Sequence, residues 1–103
     1  MLHTLNRAWA KILARRVNER ILFVYTTKEE QDMLEQVFEE TYNEIGDACY
    51  MWVASVKDIK EEMEYCKLYG REFRMCDDIL ISSNINDIML KDVLCRHCKR
   101  KSC

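Results

Sequence analysis

Proline is absent from the 103 residues of this chain, and glycine occurs only twice. A chain so poor in both residues is not collagen-like, and it lacks the composition of a linker or a disordered segment. No apolar run approaches the roughly 18 residues that a membrane-spanning helix needs. Hydrophobic residues make up 49% and charged residues 33%, which is usual for soluble globular proteins. We therefore expect a single domain over residues 1–103, with no membrane span.

Signals of catalysis are also scarce. The segment YTTKEE, which follows the first apolar run, has none of the glycines of a dinucleotide-binding turn or a P-loop. The two histidines, His3 and His97, do not follow a predicted strand. No complete catalytic motif occurs, so the sequence argues against an enzyme without excluding one.

Three apolar runs predict the strands of a small α/β fold. They cover residues 21–27, 48–55 and 79–82, and each precedes a segment with helical periodicity. Strands that alternate with helices imply parallel pairing through right-handed crossovers. We predict a three-layer sandwich in the order α-β-α-β-α-β-α, with three parallel strands, or four if residues 72–76 add one.

The chain opens with a predicted basic amphipathic helix, residues 1–18. Its apolar residues recur at helical spacing and form a stripe of Leu2, Leu5, Trp9, Ile12 and Leu13. A targeting segment or a membrane-surface helix is the alternative to a helix packed on the domain. Because a small sheet also has two edges to cover, we expect a homodimer through this helix or an edge strand.

The second and last helices carry their own boundary signals. Thr27 and Glu30 have the spacing of a capping box, and Gly46 is expected to end the helix that they begin. Phe38 falls on the predicted inner face of that helix. Asn84 is expected to cap the last helix.

Polar residues follow all three predicted strands, at the sheet edge where open α/β folds bind ligands. Helix N-termini at this edge favour anions, and lysines there would add to the attraction. The candidate site for a phosphate or nucleotide comprises Thr26, Thr27, Lys28, Ser55, Lys57, Ser82, Ser83 and Asn84. The alternative is that these side chains only cap helices.

Charge is unevenly distributed although the net charge is only −2. Residues 28–64 carry three lysines against twelve acids, whereas residues 1–27 and 93–103 each have four cations in excess. The fold should gather both basic segments at one sheet edge, in a basic patch of Arg15, Arg16, Arg20, Arg96, Lys99, Arg100 and Lys101. Such a patch suits an anionic partner, nucleic acid included.

Six cysteines are many for this length, and three lie in the basic tail CRHCKRKSC, residues 95–103. No secretory signal pattern is visible, so we expect a reducing, cytoplasmic compartment in which the thiols stay free or bind metal. A weak zinc candidate is the set Cys76, Cys95, Cys98 and Cys103, with Cys49 or His97 as further ligands. A disulfide in the tail is another alternative. We favour free thiols and no cofactor, with Cys95 and Cys98 made reactive by neighbouring cations.

The sequence thus favours a small non-enzymatic regulatory module that acts through protein–protein contact, with a basic edge for an anionic partner. Nucleic-acid binding at that basic edge is one alternative. Binding of a small anion or nucleotide at the strand ends, catalytic or sequestering, is the other.

Overall fold

A computed structural model of the chain shows a parallel sheet with helices on both faces. The structure describes residues 2–49, 51–73 and 77–97, and of residues 95–97 it describes the backbone alone. Within those ranges the elements are β1 (Leu2–Thr4), α1 (Arg7–Ala14), β2 (Ile21–Tyr25), α2 (Lys28–Ile45), a 3-10 turn (Gly46–Ala48), β3 (Met51–Ser55), α3 (Val56–Leu68), β4 (Asp78–Ile81) and α4 (Ile88–His97). The predicted α/β sandwich is confirmed.

The strand order is β1-β4-β2-β3, and all neighbours are parallel. The connections from β1 to β2 and from β2 to β3 run in one direction across the sheet, whereas the connection from β3 to β4 runs back. Since such crossovers are right-handed, α1 and α2 cover one face, and α3 covers the other together with α4. The three strands predicted from apolar runs are neighbours, with β2 in the middle.

Alternate residues of β2 pack into two hydrophobic cores, one on each face of the sheet. Ile21 and Phe23 pack toward α1 and α2, while Leu22 and Val24 pack toward α3 and α4. All four are at most 1% exposed. Burial on both faces explains why this strand has a continuous apolar sequence instead of an alternating one. Each of these side chains stabilises the fold by about 1.5–3 kcal/mol.

The first helix is shorter than predicted, and the prediction is wrong for residues 2–4. These residues form β1, in which Leu2 is paired with Ile79 of β4. Asn6 then caps α1, because its side chain accepts a hydrogen bond from the Trp9 backbone N–H at 2.9 Å. Pairing with β4 satisfies backbone groups that a first helical turn would leave open. β1 is the fourth strand of the sheet; Glu72 and Phe73 form no strand, and residues 74–76 lie outside the described ranges.

Two apolar stripes also differ from expectation. In α1, Trp9 and Ile12 are 40% and 57% exposed, while Ala10, Leu13 and Ala14 are buried. In α2, Phe38 lies at the surface instead of on the inner face. A small sheet covers only a narrow strip of each helix, so residues at the margin of a stripe stay in solvent.

The last helix starts later than expected. The Leu90 backbone N–H donates to Oδ1 of Asp87 at 2.9 Å, so Asp87 caps α4. Asn84 lies in the preceding loop, where its own N–H donates to the Ser82 hydroxyl. Both residue types are good caps, and the turn after β4 decides which one meets the helix.

Candidate functional site

The carboxyl ends of β2 and β4 meet in a polar network. The helices that follow these neighbouring strands leave toward opposite faces, which is the arrangement at which open α/β folds bind ligands. Oγ1 of Thr26 and Oγ of Ser82 are 2.9 Å apart. Oε1 of Glu30 accepts hydrogen bonds from the Thr26 N–H at 3.0 Å, the Thr26 hydroxyl at 3.1 Å and the Thr27 N–H at 3.2 Å. The fold therefore brings three of the predicted site residues together around a carboxylate of the chain itself.

Glu30 is held in its ionised form. Burial alone would raise the pKa of this carboxyl, but hydrogen bonds from Thr26, Ser82 and Thr27 outweigh burial and keep the pKa below its ordinary value. A carboxylate whose pKa is lowered in this way is a weak general base. It also fills the position at the N-terminus of α2 where a bound anion would lie. The arrangement is the predicted capping box, completed by the Thr27 hydroxyl.

Of the remaining residues of the predicted anion site, Asn84 reaches this network through its backbone N–H, which donates to the Ser82 hydroxyl, and no hydrogen bond in the described ranges links the others to it. Ser55 caps α3 and shares a second capping box with Asp58. The side chain of Lys28 is 82% exposed and pairs with Asp32 at 3.6 Å. The other exposed members are Lys57, Ser83 and Asn84. Helix capping accounts for the contacts of Ser55, and an ion pair within α2 accounts for that of Lys28. Anion binding at this edge stays a prediction.

The opposite edge contains a buried carboxylate that the sequence did not reveal. Asp78 opens β4 with a side chain that is 0% exposed. Its Oδ2 accepts a hydrogen bond from Nη1 of Arg16 at 2.6 Å, and its Oδ1 lies 3.3 Å from Nε2 of His3. The His3 ring stacks on Trp9, with centroids 4.6 Å apart. These contacts tie β1, β4 and the end of α1 together; the acid at a strand start was the signal that could have suggested them.

The predicted basic patch is partly neutralised. Nε and Nη2 of Arg15 donate to the two carboxylate oxygens of Glu44 at 2.7 and 2.9 Å. This hydrogen-bonded pair raises the pKa of Arg15 and lowers the pKa of Glu44. Arg16 is engaged by Asp78, as described, while Arg20 is exposed. The side chains of Arg96, Lys99, Arg100 and Lys101 lie outside the described residues.

The described cysteines are Cys49 and Cys66, and both are free thiols. Burial is the main cause that raises the pKa of each thiol. In the described ranges, no group of three or more His, Cys, Asp or Glu side chains could hold a metal ion. The predicted zinc ligands Cys76, Cys98 and Cys103, and the side chain of Cys95, fall outside those ranges, so zinc binding stays a prediction.

A groove lies between α2 and β3, and the sequence patterns did not predict it. Its floor is formed by Tyr25, Met51 and Val53, and Phe38 stands in its wall. The groove has a volume of about 360 Å³. Phe38 is 42% exposed and lies beside Tyr42, which is 49% exposed, with ring centroids 6.0 Å apart. Their spacing of four residues along α2 was the available signal.

No helix in the described part of the chain is long and apolar enough to cross a membrane. A scan against known protein families finds no match, and searches of curated proteins and of solved structures give no significant match either.

Proposed function

We propose that this chain is a non-enzymatic protein-binding module whose partner docks in the groove between α2 and β3. The observation that carries the proposal is a strand edge with which no strand of the described ranges pairs, next to exposed aromatic side chains. β3 is the last strand in the order β1-β4-β2-β3, and Phe38 and Tyr42 project from the helix beside it. Aromatic residues are enriched where protein partners meet.

The polar edge of the sheet supports a binding role more than a catalytic one. Glu30, Thr26 and Ser82 are hydrogen-bonded to one another, and the start of α2 is capped by this network. None of these three groups is therefore poised to activate a nucleophile or to receive a phosphate without breaking the cap. The groove needs no such rearrangement to accept a partner.

The basic patch has less support as a docking surface. Arg15 and Arg16, two of its members, already form ion pairs with Glu44 and Asp78. A phosphate backbone would have to compete with these carboxylates. For this reason the groove, and not the basic patch, is the surface in our proposal.

Crosslinking from two positions tests the proposal. A photoreactive amino acid replaces Phe38 in one variant and Tyr69, which is 62% exposed after α3, in the other. In extract of the native host, we expect one defined protein adduct from position 38 and none from position 69. The Phe38→Ser variant should no longer retain the protein so identified, while Tyr69→Ser should retain it. Retention by Phe38→Ser, or adducts of the same kind from both positions, would contradict the proposal.

A further inference from the structure

The two edges of the sheet are protected differently. β1 is only three residues long, which limits what can pair with it. β3 has five residues, MWVAS, and spans about 17 Å. Proteins usually guard an exposed edge with charged residues, proline or a bulge. The sequence of β3 contains no charged residue and no proline, and no strand in the described ranges pairs with its outer side, so this edge lacks the usual protection against a further strand.

The groove lies along that open edge. Met51 and Val53 of β3 form its floor on the α2 side and are only partly buried. Alternate side chains of a strand added to β3 would point to this side and cover them. The wall of the groove offers Phe38 for apolar contact. An extended segment with an apolar residue at every second position fits this shape.

The wall also carries negative charge. α2 holds seven carboxylates and one lysine. Glu40 and Glu44 face α1, where they pair with cations including Arg7 and Arg15. Glu35 lines the groove instead, and the described residues give it no ion pair. Glu40 and Glu44 are thus neutralised by cations of the chain itself, whereas Glu35 has no cation paired with it among the described residues.

A second copy of the chain fits this edge less well. Two-fold pairing of β3 with its own copy would bring two α2 helices side by side on the same face of the sheet. Each helix would then present Glu35 and the other acids of its segment to a like-charged neighbour. Like charges placed close together oppose association. A cationic segment has the opposite effect.

We infer that the groove binds an extended, basic segment of a partner protein, which adds to β3 as a fifth strand and pairs a lysine or arginine with Glu35. Backbone hydrogen bonds to β3 supply affinity, and the alternation of apolar and cationic side chains supplies selectivity. This inference rests on the proposed function and specifies the chemistry of the partner.

Nuclear magnetic resonance titration of the full chain tests the inference. The probe is a capped peptide of about seven residues, with alternating lysine and valine, which is long enough to cover β3. Its matched control replaces every lysine by glutamate. We expect the lysine peptide to shift the amide resonances of Val53 and Ala54, and to slow hydrogen exchange at the one of the two that points away from β2. The glutamate peptide should leave them unchanged.

Two protein variants identify the charge that is responsible. Glu35→Gln should weaken binding of the lysine peptide about two- to fivefold, as expected for an exposed ion pair. The control Glu64→Gln, in the cleft between α3 and α4, should leave binding unchanged. Added salt should weaken binding to the unchanged chain more than binding to Glu35→Gln.

Three results would overturn the inference. They are equal binding of both peptides, binding of neither at millimolar concentration, and sedimentation of the free chain as a dimer whose β3 amides are already protected. In each of these cases the crosslinking at position 38 still tests the proposed function separately. Any protein that binds in the groove, whatever its chemistry, should lose its binding to the Phe38→Ser variant.

Discussion

Nη1 of Arg16 lies 2.6 Å from Oδ2 of Asp78, a carboxylate that is fully buried at the first residue of β4. The contact joins the segment after α1 to the centre of the sheet. His3 reaches the other carboxylate oxygen from β1. The short edge strand is therefore held by side chains as well as by its backbone pairing.

Removing Arg16 should destabilise the fold far more than removing Arg7. Arg16→Leu would leave the fully buried Asp78 with less compensation. Loss of one partner of a buried pair costs about 3–5 kcal/mol, and we expect the lower end of that range because Arg16 itself is 33% exposed. Arg7→Leu breaks a pair with Glu40 in which both side chains are nearly half exposed, and should change the free energy of unfolding by less than about 1 kcal/mol. Urea denaturation of both variants measures the difference. Equal losses would contradict our account of Asp78.

The hydrogen bonds around Glu30 should make part of the free energy of unfolding depend on pH. Because the pKa of Glu30 is lower in the folded chain than its ordinary value of 4.5, its contribution is complete above that pH and is lost as pH falls through the lower folded-state pKa. Glu30→Gln should therefore be less stable than the unchanged chain at pH 7, by about 1 kcal/mol. The difference in stability between Glu30→Gln and the unchanged chain should become smaller at acidic pH.

The control for this prediction is Glu29→Gln, an exposed neighbour in the first turn of α2. Its stability relative to the unchanged chain should vary little over the same pH range. Thermal unfolding followed at several pH values checks both variants. A difference for Glu30→Gln that stays constant down to strongly acidic pH would show that the carboxylate is not held by these hydrogen bonds.

Much of the fold could be predicted from local patterns, and the exceptions share one cause. The capping box of Thr27 and Glu30, and the end of α2 at Gly46, depend on residues close together in sequence and are confirmed. β1 depends on pairing with Ile79, far along the chain, and no local signal distinguishes its residues from a helical turn. The homodimer and the cytoplasmic location stay predictions.

The candidate site was harder to predict than the fold. The burial of Asp78 is compensated by Arg16 and His3, which come from segments that are distant in the sequence. Phe38 is exposed because β3 is the edge strand of the described sheet, and no described strand lies beyond it to add contacts on that side of α2. Strand order is a property of the whole chain, and the three apolar runs alone did not fix it.

The cysteines should differ in reactivity. Burial, and secondarily Glu62, raise the pKa of the Cys66 thiol, which is 6% exposed, so little thiolate forms at neutral pH. The cations around Cys95 and Cys98 should have the opposite effect. Alkylation with iodoacetamide, followed by peptide mass spectrometry, should modify the tail first and Cys66 last. Labelling of Cys66 at the rate of the tail thiols would contradict the prediction.

Hydrogen exchange at β3 tests the central claim most directly. Alternate backbone amides of this strand point away from β2, so whichever of Val53 and Ala54 does so should exchange rapidly in the free chain. The measurement compares the free chain with the complex purified from the native host. We predict that this amide becomes protected in the complex, while the amides of α4 exchange at the same rate in both. Unchanged exchange at β3 in a complex that is otherwise intact would show that the partner binds elsewhere and would contradict the account.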